Sequence, residues 1–233
     1  MKFIYHSNSI FAQMETAFEG IWLIDKPLGM TSFGVIRKMR KILGLKKIGH
    51  AGTLDPLATG LLIVCSGAYT KQIESLMGMP KTYTGSFYLG ATTESYDLEH
   101  PPIPHSGARL VKRDELHQTA AQFVGELWQT PPAHSAIKIN GQRAYKTARK
   151  GDTPEVKPRL LKIDDFKITA EDWPEVHFEV SCSKGTYIRS LAYDFGEKLG
   201  TGAYLSSLRR TGIGPFNVQD AYSLQELENI IHF

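Results

Sequence analysis

Gly49-His-Ala-Gly-Thr-Leu-Asp-Pro-Leu-Ala-Thr-Gly60 runs directly into the apolar segment Leu61-Leu-Ile-Val-Cys65. The glycines of the first stretch permit backbone angles that other residues avoid, and Pro56 fixes its own φ angle, so a shaped loop is predicted. The apolar segment does not alternate with polar residues, which predicts a strand buried on both faces. The sequence therefore places Asp55 on a rigid loop that leads into the core of a sheet.

Asp55 is the candidate reactive group of this loop. Loops held by a rigid scaffold often carry catalytic residues, and Pro56 biases Asp55 away from the helical region. Taken alone, Asp-Pro is an ordinary turn starter. Likewise, a single histidine such as His50 is more often a hydrogen-bonded structural residue than a chemical one. Other segments of the chain have to decide between these interpretations.

Length and composition are those of a globular protein. The chain has 233 residues, enough for one large domain or two small ones, and 42% of them are hydrophobic and 22% charged. No apolar run approaches the roughly 20 residues of a membrane helix. The N-terminal residues lack the pattern of a secretory signal. These features predict a soluble protein that does not enter a membrane.

The two cysteines favour the cytoplasm. Cys65 and Cys182 lie in apolar, strand-like runs, as expected of reduced, buried thiols. Cysteines and histidines show no zinc spacing, so no metal is expected.

Basic residues are concentrated in two segments. Residues 37–47 contain six lysines and arginines, residues 138–150 contain five, and neither segment contains an acidic residue. One such run is usually a solvated helix face, whereas two runs beside structured loops favour a polyanionic partner. Acidic residues gather elsewhere, as in residues 94–99 and 171–179. This separation of charge predicts a protein that orients on nucleic acid.

Helical periodicity is clear in the first half of the chain. Residues 8–19 carry an apolar stripe, and Thr31 or Ser32 is expected to cap a second helix that ends at Gly44. The basic residues of that helix lie largely off its apolar stripe and are expected to be exposed. Further along, Asp114 is expected to cap a third helix.

A last strong helix is predicted to open in Ser183-Lys-Gly-Thr-Tyr-Ile-Arg-Ser190. Arg189 falls off its apolar stripe, so periodicity alone predicts an exposed arginine, although the helix N-terminus favours a nearby anion. The members of the stripe are Ile188, Leu191, Ala192, Phe195 and Leu199.

Strand and loop patterns fill the middle of the chain. Residues 81–91 alternate, which places Tyr83 on a buried face near the start of a strand. Residues 92–107 are polar and rich in proline, and are expected to form a mobile surface loop. A strand is predicted over residues 135–139, followed by a turn at 140–141.

The loop of Asp55 resembles, almost residue for residue, the catalytic motif of the TruB family of tRNA pseudouridine synthases. Other segments resemble further motifs of this family in the same order, from about Ile21 to about Phe216. His134 departs from the family pattern, which more often has an aromatic residue at that place. The matching segments are Asp25-Lys-Pro-Leu-Gly-Met-Thr-Ser32, Lys81-Thr-Tyr83, Pro131-Pro-Ala-His-Ser-Ala-Ile-Lys138, Gly141-Gln-Arg-Ala-Tyr145, Ser183-Lys-Gly-Thr-Tyr-Ile-Arg189 and Ala203-Tyr-Leu-Ser-Ser-Leu-Arg-Arg-Thr211.

The resemblance implies isomerisation of uridine to pseudouridine in tRNA, at position 55 of the T arm. The reaction breaks the bond between ribose C1′ and uracil N1, turns the base, and joins C5 to C1′. It needs a nucleophilic carboxylate, an acceptor for the C5 proton and a pocket for the base, but no metal and no redox cofactor. The target uridine must also leave its helical stack, at a cost of a few kcal/mol.

The resemblance also assigns roles to single residues. Asp55 is the nucleophile, attacking either C1′ or C6 of the uracil ring. Arg189 pairs with it, which keeps the carboxylate ionised and oriented. Tyr83 stacks on the target base and takes the C5 proton, directly or through water.

Six further residues are expected to contact substrate. Tyr187 and Leu208 would shape the pocket, and His50 would fill or brace the space that the flipped base leaves. Lys26, Lys138 and Arg143 are expected to contact RNA. Lys138 and Arg143 belong to the second basic segment, which is expected to grip phosphates.

The fold implied is α/β: a pseudouridine synthase fold with a curved mixed sheet, flanked by helices, and a central active-site cleft. Residues 1–20 are expected to form a helical extension, 21–222 the catalytic domain, and 223–233 a short tail. The chain is too short for a full copy of the PUA-type RNA-binding domain that many members carry. We therefore expect tRNA to bind mainly through the catalytic domain. A monomer that requires no protein partner is also expected.

Two other classes remain open. A non-catalytic RNA-binding or tRNA-folding protein would use the same basic segments and aromatic residues, but would not need Asp55, Tyr83 and Arg189 together. A small-molecule hydrolase that uses Asp55 would normally show a second carboxylate or a metal site, and it leaves the basic segments unexplained.

Overall fold

The computed structural model describes residues 18–132 and 156–232, together with the backbone of residues 138–139 and 142–143. The chain divides into two compact units. The first contains Met1–Tyr83 and Arg209–Phe233, and the second contains Thr84–Leu208. The helix predicted over residues 8–19 lies almost wholly outside the described residues.

The first unit is built from both ends of the chain. It contains one end of strand β4 (Lys81–Leu89) and one end of strand β12 (Ala203–Ile213), whose other ends belong to the second unit. Its remaining strands and helices are β1 Ile21–Lys26, α1 Ser32–Leu43, β2 Ile48–His50, β3 Ala58–Ser66, α2 Ile73–Gly78, β13 Phe216–Asn217 and α5 Leu224–His232.

Strand β3 is the centre of the first unit. It lies between β1 and β12 and pairs antiparallel with both β1 and β2. Leu62 and Val64 pack in one apolar core with α1 and α5. Leu61, Ile63 and Cys65 pack in a second core with α2. The prediction of a strand buried on both faces is confirmed, because each face of β3 meets its own core.

Helix α1 forms as its local sequence predicts. Thr31 accepts a hydrogen bond from the Gly34 amide at 2.9 Å, and Gly44 ends the helix with φ = 66°. The predicted apolar stripe is buried, whereas Arg37, Arg40 and Lys41 are exposed.

The second unit contains strands β7 (Gly125–Gln129), β10 (Arg159–Asp172) and β11 (Glu175–Cys182). Its sheet has the strand order β12-β4-β11-β10-β7. Strand β10 pairs antiparallel with β11 on one side and with β7 on the other. Its core is rich in aromatic rings, including Phe87, Phe166 and Phe195. The remaining elements are β5 Ala91–Thr92, β6 Ile103–Pro104, α3 Arg113–Ala121, β8 Lys138–Ile139, β9 Gln142–Arg143 and α4 Ile188–Leu199.

The α/β class, with a large sheet flanked by helices, is thereby confirmed. The predicted curvature, the central cleft and the domain boundaries stay predictions. Strands β8 and β9 pair antiparallel. The turn predicted at residues 140–141 and most of the strand predicted over residues 135–139 lie outside the described residues. None of the described helices is long and apolar enough to cross a bilayer.

Two local predictions were wrong. The N-cap of α3 is Lys112 rather than Asp114, which lies in the first turn of the helix. Residues 92–107 are not a mobile surface loop, because β5 and β6 pair within this range and Thr93, Ser95 and Asp97 are buried. Polar composition misled here because these side chains form hydrogen bonds inside the protein.

Candidate active site

Asp55 lies half-buried in the loop between β2 and β3, in the first unit. The residues on either side of it are held by the segment that precedes and begins α1. The Ser32 hydroxyl donates to the Leu54 carbonyl at 3.0 Å and accepts from the Leu54 amide at 2.9 Å. The Gly29 amide donates to the Pro56 carbonyl at 2.9 Å. These bonds therefore fix the backbone on both sides of Asp55.

Lys26 holds the turn before α1 from inside the protein, and its ammonium group lies 3.5 Å from the Pro56 carbonyl of the Asp55 loop. It is 0% exposed, and its ammonium group donates to the carbonyls of Pro27 at 2.9 Å and Met30 at 2.6 Å. Burial lowers the pKa of Lys26 to about 8, against the opposing attraction of the Asp55 carboxylate and with a further lowering by Arg210. Such burial favours a role in holding the loop, and the predicted contact of Lys26 with RNA stays a prediction.

Arg210 joins the two ends of the loop, a role that the sequence did not indicate. It is 1% exposed, and it donates from Nε to the Leu61 carbonyl at 2.7 Å and from Nη2 to the Gly52 carbonyl at 3.1 Å. Its backbone runs so close to Gly60 that a Cβ there would lie 2.3 Å from the Arg210 oxygen. Only glycine fits at that place.

His50 and Tyr83 also belong to the first unit. His50 ends β2 and is half-buried. Burial and the charge of Arg210 lower its pKa, partly offset by a hydrogen bond with the Gly52 backbone, so the imidazole is neutral at pH 7. Tyr83 is the third residue of β4 and is buried, in agreement with the predicted strand pattern.

Arg189 lies in the second unit, in the first turn of α4. It is 4% exposed, so the exposed arginine that periodicity alone suggests was wrong. Its Nη1 donates to the Ser95 carbonyl at 3.2 Å, and its Nε lies 3.6 Å from a carboxylate oxygen of Asp97. Asp97 is itself 5% exposed, which makes this a buried ion pair. Burial is tolerated because the carboxylate and the carbonyl compensate the charge.

The sequence interpretation missed Asp97, which lies in the segment expected to be mobile. The turn of residues 93–97 is tied together by its own side chains. Thr93 and Ser95 hydroxyls donate to the Asp97 carbonyl at 2.7 and 3.2 Å. The Glu99 amide donates to the Asp97 carboxylate at 3.0 Å. The alternation of small hydroxyl residues with acidic ones in 93–99 is the signal that was available, since such residues build turns of this kind.

Gln129 is a second residue that was missed. It ends β7, is buried, and its side-chain amide pairs with the backbone of Tyr187: the Tyr187 amide donates to Oε1 at 2.8 Å, and Nε2 donates to the Tyr187 carbonyl at 3.0 Å. The Ser190 hydroxyl donates to the Thr130 carbonyl at 2.8 Å. The start of α4, with Tyr187 at its N-cap, is thus fixed by the end of β7.

Leu208 is half-buried on β12, at the end of the second unit. Lys138 and Arg143 pair through their backbones, but their side chains lie outside the described residues. Across the described part of the chain, no group of three or more histidine, cysteine, aspartate or glutamate side chains is placed to hold a metal ion.

The first unit contains the Asp55 carboxylate, and the second unit contains the Arg189 guanidinium. A carboxylate held on a rigid loop suits nucleophilic catalysis, and a buried, oriented arginine suits stabilisation of an anion. Residues 40–188 match the TruB family pseudouridylate synthase N-terminal domain, and residues 189–233 match the tRNA pseudouridylate synthase B C-terminal domain. The chain belongs to the TruB family of pseudouridylate synthases, which are isomerases.

Relatives of high similarity cover nearly the whole chain. The tRNA pseudouridine synthase B of Flavobacterium johnsoniae is 49% identical over 222 residues, which cover 92% of this chain and 97% of the relative. The protein of the same name from Bacteroides fragilis is 48% identical over 202 residues, 84% of this chain and 86% of the relative. Among solved structures, a Cbf5-Nop10-Gar1 complex contains a chain that is 32% identical, with a TM-score of 0.73. The match covers 92% of this chain and 55% of that one.

Proposed function

We propose that this protein converts uridine to pseudouridine in tRNA, at position 55 of the T arm. The observation that carries the proposal is the loop of Asp55, whose backbone is fixed on both sides by Ser32, Gly29 and Lys26. Membership of the family and the names of the similar bacterial proteins support the reaction and the kind of RNA.

Asp55 acts as the nucleophile, at C1′ or at C6 of the uracil ring. A rigid loop suits this role because a nucleophile that is already oriented needs no reorganisation when the substrate binds. Arg189 pairs with the Asp55 carboxylate in this proposal. Its guanidinium is already oriented by Ser95 and Asp97, so the planar fork presents a fixed direction to an anion.

The remaining site residues act on the base and on the RNA. Tyr83 stacks on the target uracil and accepts its C5 proton, directly or through water. Tyr187 and Leu208 form walls of the pocket, and His50 fills the space that the flipped nucleotide leaves. A neutral imidazole suits that position, because it can stack on the neighbouring bases of the RNA helix without placing a charge among them.

The exposed face of α1 supports RNA as the partner. The helix itself carries no acidic residue, and of its cations Lys38 pairs with Glu228 of α5 at 3.2 Å. The exposed ring of Phe33 lies 5.9 Å from the guanidinium carbons of both Arg37 and Arg40. Phosphates are the ligands that such a face attracts. Lys138 and Arg143 add cations from the second basic segment. The protein acts as a monomer in the cytoplasm, where its two buried thiols stay reduced.

The experiment is tritium release from a T-arm transcript labelled at uridine C5, since formation of the new carbon bond expels this hydrogen. The native protein is expected to release tritium, and Asp55→Asn is not. Asp220→Asn, which changes an exposed aspartate on the same unit, is the matched control and should behave as the native protein.

Each other outcome has a distinct meaning. Release by Asp55→Asn would keep the reaction and reject the nucleophile. No release by the native protein, with binding of the transcript intact, would favour an RNA-binding function. A transcript whose target uridine is replaced by cytidine should release nothing from its other labelled uridines if the proposed position is right.

A further inference from the structure

Tyr96 has an unusual backbone conformation. It is the one residue other than glycine with a positive φ angle, 62°, in the described part of the chain. For a residue with a bulky side chain the left-handed region costs about 1–2 kcal/mol relative to the right-handed one. Strain of this kind persists where surrounding contacts hold it, and it is concentrated at functional sites.

Two contacts hold Tyr96 in this conformation. Its ring stacks on Tyr193, with 4.3 Å between the ring centroids and 22° between the planes. Its carbonyl accepts a hydrogen bond from the Leu205 amide at 2.9 Å. Tyr193 lies four residues after Arg189 on α4, so the two side chains lie on the same face of that helix, one turn apart.

The strained conformation also places the neighbours of Tyr96. Ser95 and Asp97, immediately before and after it, both contact Arg189, one through its carbonyl and the other through its carboxylate. Left-handed backbone at the middle residue turns the chain, so that a main-chain oxygen and a side-chain oxygen converge on one guanidinium group. The stack with Tyr193 ties this same turn to the helix that carries Arg189.

We infer that Tyr96 and Tyr193 are positioning residues for Arg189: their stack holds the turn 93–97 against α4 and thereby fixes the orientation of the guanidinium. This inference rests on the function proposed for Arg189. Neither tyrosine needs to touch the substrate, and the loss of either ring should act on the catalytic step rather than on RNA binding.

Three variants separate the effect of the stacked rings of Tyr96 and Tyr193 from the effect of the strained backbone at Tyr96. Tyr193→Leu removes the stack and leaves Tyr96 strained. Tyr96→Gly removes the ring but adopts a positive φ angle freely, so it should stay folded. Tyr96→Phe keeps the ring. We expect Tyr193→Leu and Tyr96→Gly to lower kcat about tenfold with KM unchanged, because a small misplacement of an orienting group slows the reaction strongly. Tyr96→Phe should restore kcat to within about twofold of the native value.

The matched control is Tyr88→Leu. Tyr88 stacks on Tyr204 in the same unit, with 5.2 Å between centroids and 18° between planes, and neither ring belongs to the turn or to α4. Tyr88→Leu should keep the native kcat. Equal loss of kcat in Tyr88→Leu and Tyr193→Leu would overturn the inference, as would a rise in KM without a fall in kcat.

A crystal structure of Tyr193→Leu tests the inference without any activity. The turn 93–97 should be displaced and the contact between Arg189 and Asp97 broken. A structure with both unchanged would overturn the inference, even if the native protein released tritium. Conversely, a native protein that releases no tritium would contradict the proposed function and leave the displaced turn as evidence for the positioning role alone.

Discussion

Lys26 and Arg210 are two fully buried cations that no apolar core would tolerate without partners. Each is satisfied by main-chain carbonyls of the loop of Asp55 or of the turn before α1. The cost of burying a charge is offset by these bonds only while the loop keeps its shape. At the scale of single residues, the loop and its cations therefore stabilise one another.

A first prediction concerns the charge of Lys26. Burial lowers its pKa from 10.5 to about 8. Between these two pH values the unfolded chain binds more protons at this residue than the folded chain, so this group makes the free energy of unfolding rise with pH. Lys26→Met should lose that rise. It should also lose about 2 kcal/mol of stability at pH 7, because carbonyls that Lys26 satisfied are left unpaired.

Urea unfolding at pH 7, 8, 9 and 10 measures both effects. Lys41→Met is the control, since Lys41 is exposed on α1 and should leave the pH dependence unchanged. A Lys26→Met protein with the pH dependence of the native protein would contradict the prediction.

Asp194 leads to the opposite pH dependence. Burial, together with repulsion by Glu197, raises its pKa from 3.8 to about 6. The folded chain therefore binds more protons than the unfolded chain between these values, and this group lowers stability as pH rises through 6. Asp194→Asn should be more stable than the native protein at pH 7.5, by about 1 kcal/mol after allowance for solvent screening.

At pH 3.5 the advantage of Asp194→Asn should disappear, because the native carboxyl is then protonated in both states. Thermal unfolding at the two pH values tests this. The exposed aspartate of Asp220→Asn serves as the comparison, and an equal gain in that variant would show that the effect is not specific to Asp194.

At the scale of elements, helix α4 begins without a side-chain cap from its own N-cap residue, Tyr187. Gln129 supplies that cap from the end of β7 by bonding both the amide and the carbonyl of Tyr187. The helix that carries Arg189 therefore depends on a residue that is 58 positions away.

Gln129→Met keeps the volume of the side chain but removes both hydrogen bonds. We expect a loss of about 1–3 kcal/mol of stability, because the Tyr187 amide loses its partner and the Tyr187 carbonyl keeps only the bond from the Leu191 amide. We also expect a lower kcat through displacement of the helix start. Gln122→Met, at an exposed glutamine after α3, should change neither quantity. If Gln129→Met were as stable as the native protein, the role of Gln129 as the cap of helix α4 would be rejected.

The close approach of β3 and β12 leads to a prediction about glycine. Gly60 and Gly125 both have positive φ angles, 100° and 112°, but only a Cβ at Gly60 would meet backbone, at 2.3 Å from Arg210. Gly125→Ala should cost about 1–2 kcal/mol from backbone strain alone. Gly60→Ala should cost more than that, because two strands must separate. Chemical denaturation of the two variants measures the difference, and equal costs would contradict the proposed clash.

Helix α1 and strand β3 could be predicted from the sequence because their determinants are local. Thr31, Gly44 and the apolar stripe of α1 all lie within one short segment. The environment of Arg189 could not be predicted, since the oxygen that it contacts on Ser95 is 94 positions away. The same holds for Arg210, whose partner Leu61 is 149 positions away. Motifs predicted which residues matter, and only the tertiary structure showed what holds them.

At the scale of the whole molecule, electrostatics predicts how RNA binding depends on salt. Each phosphate contact that is lost lowers the slope of log K against log salt by about 0.9 for duplex nucleic acid. If Arg37 and Arg40 each contact one phosphate, Arg37→Gln/Arg40→Gln should reduce the slope by about 2.

Binding of a T-arm transcript at several salt concentrations measures this slope. The control is Lys162→Gln/Lys167→Gln, which removes the same net charge from two exposed lysines of β10 that pair with Asp164 and Asp165. An equal change of slope in both double variants would show that the slope depends on net charge alone. It would contradict the predicted phosphate contacts of Arg37 and Arg40.

The first unit is assembled from two distant parts of the chain, residues up to 83 and residues from 209 onward. On the ribosome, β3 emerges long before β12, the strand that must lie beside it. Residues 84–208 leave the ribosome before residues 209–233 and can fold first, because domains generally fold as units during synthesis. One backbone edge of strand β3, which contains the apolar run Leu61–Cys65, therefore stays unpaired until β12 has been synthesised. The nascent chain of this protein is therefore expected to need chaperone protection for longer than other chains of 233 residues.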